Sequence, residues 1–424
     1  MSKIRFLLAL PAISLVSLAL AYPSASQEPL LKESDLRKAA GALGEYLEEG
    51  ASSEAESSLK EEMDKLARKL AKTPVEGDIM RSPSDLGYMF WLSYEYSKQR
   101  AQKGKVAEEE FIFDRAGFTK KEPLEYAVWA PSKYSAKKGP YPLILCLHDE
   151  GQTATQHLTE DWVDNDLREG AIIAIPQMPE DTSTWTAEGP KYVLTLMTAV
   201  TETYAVDFNR IYLAGKGVGL LEAFAVAGKF PDRWAGLIGR AGDLGDDVVA
   251  INFSNLPTFL TGAGAKATAF RDAAKELEIE NVTLQPDGLE ADIWNWIQAT
   301  TRSAYPDSVR LSPGSPMPYR SSWLEVPASN YNGKATIEAR LDRDANAVHV
   351  EGSGVTDFVL YLNDDLLDLS RPITVHANGQ ESSIQVSRSF KSFLNLIYNG
   401  RSDPGRVFVA SQSFHLPAAG EGSR

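Results

Sequence analysis

The sequence predicts an α/β protein: a doubly wound, mainly parallel sheet, with a helical hairpin before it and a β-rich domain after it. Three observations carry this reading. From about residue 108 to 305, short apolar runs alternate with helical stretches, the order that yields a parallel sheet covered on both faces. Within that span, Arg210 to Ala214 reads as a buried strand, Gly215 to Gly219 as a tight turn, and Leu220 to Lys229 as a helix that stops at Phe230-Pro231. From about 321 the pattern becomes one of short strands, and Asn378-Gly379 is a two-residue hairpin signal.

The chain begins with Lys3 and Arg5, an apolar run from Phe6 to Leu20, and the small-residue sequence Ala19-Leu20-Ala21. This is the pattern of a secretory signal over residues 1–21, with secretion to the medium, periplasm or cell envelope as its consequence. No later stretch is long and apolar enough to span a bilayer. The helical N-terminal region covers 22–107. Leu36, Ala40, Leu43 and Leu47 recur at helical spacing, as do Leu59, Met63, Leu66 and Leu70, and Ser53 with Glu56 forms a capping box between them. Such a hairpin has one apolar stripe, which covers the protein's own body by default. Residues 83–99 form a further helix whose aromatic residues (Tyr88, Phe90, Trp91, Tyr94, Tyr96) suit a core.

In the central span, strands are expected at Phe111–Phe113, Leu124–Trp129, Tyr141–Leu147, Gly170–Ile175, Arg210–Ala214, Ala235–Ile238, Thr258–Thr261 and Val282–Gln285. Helices are expected at Tyr192–Tyr204 and Ala267–Leu277. A proline-rich linker follows over 306–320. The β-rich accessory domain spans 321–415, with strands at Thr336–Leu341, Ala347–Val350, Phe358–Leu362 and Ile373–Ala377, one helix over Val386–Asn399, and a closing strand at Val407–Ala410. Residues 416–424 read as a disordered tail.

Composition narrows function. The 424 residues carry a net charge of −15. An acidic surface repels phosphate backbones, so nucleic acid is not an expected partner. The single cysteine, Cys146, lies in an apolar strand pattern and reads as a buried, inert thiol. There is no H-x-x-x-H and no C-x-x-C, so neither a metal nor another cofactor is expected.

Tyr141–His148, Ile172–Pro176, the stretch Val206-Asp207-x-Asn209-Arg210-Ile211-Tyr212-Leu213-x-Gly215, and Phe230-Pro231-Asp232-Arg233 together resemble the α/β-hydrolase superfamily. The likeness is to secreted esterases of the polyhydroxybutyrate-depolymerase or feruloyl-esterase kind and to prolyl-oligopeptidase-like domains. It covers about 108–305. It implies a nucleophile elbow of pattern G-x-S-x-G, then an acid, then a histidine, in that chain order.

Each of those positions is vacant by this reading. The elbow is Gly215-x-Gly217-x-Gly219, with Gly217 where the nucleophile belongs. The acid loop reads Gly262-Ala263-Gly264-Ala265, without a carboxylate. The last-strand turn reads Asp287-Gly288, without a histidine. None of the five histidines, His148, His157, His349, His376 and His415, lies between 158 and 348. His349 reads as a solvent-facing strand residue. His148 stands where the superfamily has a His-Gly pair beside the oxyanion hole, but Asp149 and Glu150 follow it, and a carboxylate there opposes anion stabilisation. Asp287 and Glu290 with Asp149 and Glu150 could form a carboxylate pair of the glycosidase kind, although surface carboxylates are the plainer reading.

Lys216 and the helix dipole could draw an anion to the turn, although a solvated lysine is the plainer reading. The residues expected to line any ligand are therefore Gly215, Lys216, Gly217, Val218, Gly219, His148 and Asp149. The functional expectation is a secreted pseudo-hydrolase that binds or scaffolds a small ester, a peptide or a protein. The alternatives are an active ester or peptide hydrolase with displaced residues, and a cell-envelope structural protein.

Overall fold

The computed structural model describes residues 28–48, 52–114, 121–178, 182–246, 248–314, 319–328 and 330–418. The expected signal segment and the last residues of the expected tail lie outside them.

The N-terminal region is α1 (Glu33–Glu48), α2 (Ser53–Leu70) and α3 (Pro83–Ser93). The apolar residues spaced along α1 and α2 are buried, apart from half-buried Leu47. The cap of α2 differs from expectation. Ser52, not Ser53, takes the N-cap and accepts from Ala55 N–H at 3.2 Å, so the Ser53/Glu56 box is not formed. Ser53 already has a place in the first helical turn, where it cannot cap. The hairpin packs on α3, and α3 packs on the rest of the protein. Trp91 Nε1 donates to Val206 O at 2.9 Å, and a Cβ on Gly87 would come within 2.5 Å of Pro404 O, so α3 sits hard against a loop near the other end of the chain.

The central sheet follows. Its strands are β1 (Ala107–Asp114), β2 (Lys121–Trp129), β3 (Tyr141–Leu147), β4 (Ile172–Pro176), β5 (Val206–Lys216), β6 (Gly236–Gly242), β7 (Thr258–Ala263) and β8 (Val282–Gln285). They lie in the order β1-β2-β4-β3-β5-β6-β7-β8. β2 is antiparallel to both neighbours, and every pairing from β4 to β8 is parallel. The helices are α4 (Ala154–Glu160), α5 (Asn165–Gly170), α6 (Thr182–Thr203), α7 (Val218–Lys229), α8 (Ala265–Glu276) and α9 (Glu290–Ala299).

Side chains alternate across each strand. Leu143, Leu145, Leu147 and Leu213 therefore share a core with α6, α7 and α8, while Ile144, Cys146, Tyr212 and Ala214 share the opposite one with α4, α5 and α9. Both faces are covered, and the fold is the mixed α/β arrangement of a mostly parallel sheet that the sequence predicts.

The C-terminal part comprises β9 (Ser308–Leu311), β10 (Tyr319–Ser321), β11 (Leu324–Val326), β12 (Tyr331–Asp342), β13 (Ala347–Val355), β14 (Asp357–Leu362), β15 (Ile373–Ala377), β16 (Gln380–Ile384), α10 (Phe390–Tyr398) and β17 (Ala410–His415). It forms a four-stranded sheet, β10-β11-β14-β17, and a five-stranded one, β16-β15-β13-β12-β9. Two expectations are corrected here. Ser308–Leu311 lies within the proline-rich stretch but pairs with β12 as an edge strand. The closing strand starts at Ala410, because Val407 gives its backbone to side chains instead: its N–H and C=O bond the Tyr305 hydroxyl, and its C=O also accepts from Asn363.

The two units are locked by buried charge at the N-terminal edge of the parallel strands. Asp232, just ahead of β6, lies with Oδ2 2.8 Å from Arg406 Nη2 and 3.5 Å from Arg320 Nε. The Arg406 contact lacks the alignment of a hydrogen bond, so its attraction is Coulombic. Arg302, ahead of β9, grips Asp403 through bonds of 2.7 and 3.0 Å and Asn209 through bonds of 2.9 and 3.0 Å.

Candidate functional site

The residue types at the end of β5 dictate a sharp turn. Gly217 adopts φ +56° and ψ −122°, a backbone that L side chains rarely take, and α7 starts at the next residue. The flanking glycines allow the strand and helix to close up. A Cβ on Gly219 would overlap Leu147 O, and one on Gly215 would come within 2.6 Å of Leu220 Cα. The turn is therefore a tight strand-to-helix elbow with no side chain at its centre.

The space above Gly217 is filled. Asp149, just after β3, places its carboxylate where a side chain at 217 would begin, and a Cβ there would overlap all three carboxylate atoms. Asp149 Oδ1 accepts from Val218 N–H at 3.0 Å and Glu150 N–H at 2.9 Å. In an elbow of this kind, the N–H after the nucleophile is an oxyanion donor. Here it is taken by the protein's own anion.

His148 is buried and fixed. Its Nε2 accepts from Met178 N–H at 2.9 Å, which puts the proton on Nδ1, facing Asp149 O at 2.8 Å. Burial pushes its pKa down, so the ring is neutral and both nitrogens are engaged. Lys216 is not a solvated lysine: its Nζ lies 2.6 Å from Asp161 Oδ1. That ion pair answers the charge expected to draw an anion to the turn.

Gly217, Ala265 and Gly288, the positions the sequence reading leaves vacant, follow β5, β7 and β8 at the C-terminal ends of those strands. Gly217 N–H donates to Ala241 O at 2.5 Å, Gly264 N–H to Gly242 O at 2.8 Å, and Gly262 N–H to Pro286 O at 3.1 Å. Ala265 opens α8 beside Gly264, and Gly288 N–H donates to Thr261 Oγ1 at 2.7 Å. The loop after β6 brings Asp243 against Gly264, a carboxylate the sequence did not single out. Glu290 is engaged by the backbone. It accepts from Val163 and Asp164 N–H at 2.7 Å each and lies 3.6 Å from Arg240. His349 and His376 stack in the five-stranded sheet with centroids 4.5 Å apart, and His415 lies 3.3 Å from Asp357 in the four-stranded sheet.

A second chain of groups runs under the sheet. Cys146 Sγ is 3.1 Å from His157 Nε2, His157 Nδ1 is 2.9 Å from Asp161 Oδ2, and Asp161 holds Lys216. The order is that of a nucleophile, a base and an orienting acid, but the electrostatics oppose catalysis. Burial pushes the thiol up to about 12 and His157 down to about 4. Cys146 and His157 are both closed to solvent, and Trp162 Nε1 also donates to His157 Nε2 at 3.3 Å. The helical i, i+4 spacing of His157 and Asp161 was the available signal for this pair. Among the described residues, no group of three or more His, Cys, Asp or Glu is arranged to hold a metal, and no helix is long and apolar enough to cross a membrane.

The His157 environment has a measurable consequence. Its folded pKa lies below its unfolded one, so between about pH 6.5 and 4 the unfolded chain binds the extra proton. Stability present at pH 7 is therefore lost as pH falls through that window, by on the order of 3 kcal/mol. Urea unfolding at pH 7, 5.5 and 4.5 should show a shallower decline for His157→Gln than for wild type. Parallel profiles would refute this assignment.

No family model and no curated protein matches the chain. Solved structures do resemble it in part. A thermostable esterase is 16% identical at a TM-score of 0.38, over 46% of this chain and 63% of that one, so the chain spans less than two thirds of its length. The ferulic acid esterase AmCE1/Fae1A from Anaeromyces mucronatus is 12% identical at 0.37, over 49% and 94%. An S-formylglutathione hydrolase from Staphylococcus aureus is 11% identical at 0.34, over 47% and 95%.

Proposed function

We propose that this chain is a non-catalytic, hydrolase-like protein that acts by binding or scaffolding. The observation that carries the proposal is the Asp149 carboxylate, bonded to Val218 N–H at 3.0 Å in the space above Gly217. It occupies the place of a nucleophile and of the charge that an oxyanion hole would stabilise. Gly217, Ala265 and Gly288 are read as the vacated nucleophile, acid and base positions. A substrate carbonyl finds neither an attacking atom nor an open donor.

The experiment is turnover of activated esters, including a feruloyl ester, with labelling by a serine-directed phosphonate. No turnover above the uncatalysed rate and no label are expected. A second reading, an ester or peptide hydrolase with displaced residues, draws on the Cys146–His157–Asp161 series. Robust hydrolysis abolished by Cys146→Ala or His157→Gln would establish that reading and remove the first.

A further inference from the structure

Alternate residues of β13 and β15 enter the core: Val348 and Val350 on one strand, Val375 and Ala377 on the other, are buried. The residues between them, His349 and His376, therefore stand on the outer face of the five-stranded sheet. The two strands run parallel, and their register makes His349 and His376 direct partners. The rings stack with centroids 4.5 Å apart and planes 8° apart. His349 is exposed and borders a surface groove of about 500 Å³. Apart from the stack, it makes no hydrogen bond or ion pair among the described residues.

The neighbours on this face suit a pair of metal-binding imidazoles. Glu381, on β16, is the cross-strand partner of His376, and its Oε2 lies 3.7 Å from His376 Nδ1. That is longer than a hydrogen bond, so the carboxylate acts through its field. A carboxylate on that side favours the proton on Nδ1 and leaves Nε2 with a free lone pair, the arrangement that orients histidines toward a metal. Arg340, opposite His349 on β12, would repel a cation, but its Nε lies 3.5 Å from Glu338 Oε1.

We propose that His349 and His376 form a surface site for a divalent transition ion, zinc or copper, held by one nitrogen of each ring, with water in the remaining positions. Imidazole nitrogen suits these ions, whereas magnesium and calcium take oxygen ligands. Two nitrogens, each about 2.0–2.1 Å from one metal in neighbouring positions, lie roughly 3 Å apart. Rings with centroids at 4.5 Å reach that spacing by turning out of the stack, and only the stack holds His349. The paired strands fix the two backbones, so the rings alone adjust. The ligands come from separate strands, which is why no H-x-x-x-H pattern marks them.

The test is calorimetric titration of the full chain with zinc and with copper(II), with about 1 mM magnesium present to occupy surface carboxylates. One saturable site is expected for each ion, tighter for copper, the order of divalent affinities at nitrogen ligands. His349→Ala and His376→Ala should each weaken binding by about tenfold or more, and Glu381→Gln by about threefold. His415→Ala, in the four-stranded sheet, should leave it unchanged. Bound copper should show splitting from two nitrogen nuclei in its electron paramagnetic resonance spectrum, and from one in either single variant. His349 is exposed, so its variant tests the site even if His376→Ala folds poorly. Absence of saturable binding of either ion below about 0.1 mM, displacement by magnesium, or affinity unchanged in both histidine variants would overturn the proposal. None of these outcomes depends on ester turnover, so this site and the silent elbow stand or fall separately.

Discussion

Asp232→Ala is expected to destabilise the protein by about 3–5 kcal/mol, the cost of removing one member of a buried ion pair and leaving its partners charged. Those partners are Arg406, whose side chain is 1% exposed, and Arg320, at 7%. Burial alone would raise the Asp232 carboxyl. The summed charges of Arg406, Arg320, Arg233 and Arg302 outweigh burial and hold it well below the usual carboxylate range. A carboxyl depressed on folding gives stability that is full above its unfolded pKa and is lost as pH falls through its folded one. The difference between wild type and variant should thus be complete at pH 7 and shrink below about pH 4. Guanidinium unfolding at both pH values measures it. A loss under about 1 kcal/mol at pH 7 would show that the arginines find other partners.

Gly217→Ser should lower stability and yield no esterase. The new Cβ meets the Asp149 carboxylate, an overpacked contact costing about 1–3 kcal/mol, and a side chain at φ +56° adds strain. Asp149→Gly in the same background should recover most of the overpacking cost, a double-mutant coupling that isolates the contact. Additive losses would mean that Asp149 does not fill that space. Ester turnover should stay at background in both variants. No histidine lies between 158 and 348, and those in the C-terminal sheets are engaged there. Even after Asp149→Gly frees Val218 N–H, the serine has no base to take its proton.

The central sheet was legible because its signals are local. Tyr141–Leu147 and Val282–Gln285 are strands with the boundaries read from sequence, since each apolar run ends in residues that cannot continue it. The elbow was legible from three glycines. What failed depended on distant partners. Lys216 finds Asp161 across 55 positions, and a surface turn gave no hint of it. Ser308–Leu311 has only four alternating residues between prolines, and becomes a strand because β12 presents an open edge. From sequence, Asp149 is hostile to an oxyanion. That its carboxylate would cover Gly217 required knowing how closely the β3 loop approaches α7.

The close seating of α3 against the loop at Pro404 has a consequence for synthesis. Helix α3 gains a contact that forms only after residue 404 is made, roughly 300 residues later, or on the order of 15–60 s at ordinary elongation rates. Through that interval the face of α3 around Gly87 lacks its final cover. The nascent chain thus offers chaperones an apolar handle on α3, and a message truncated shortly before residue 404 would release a product with that handle still showing.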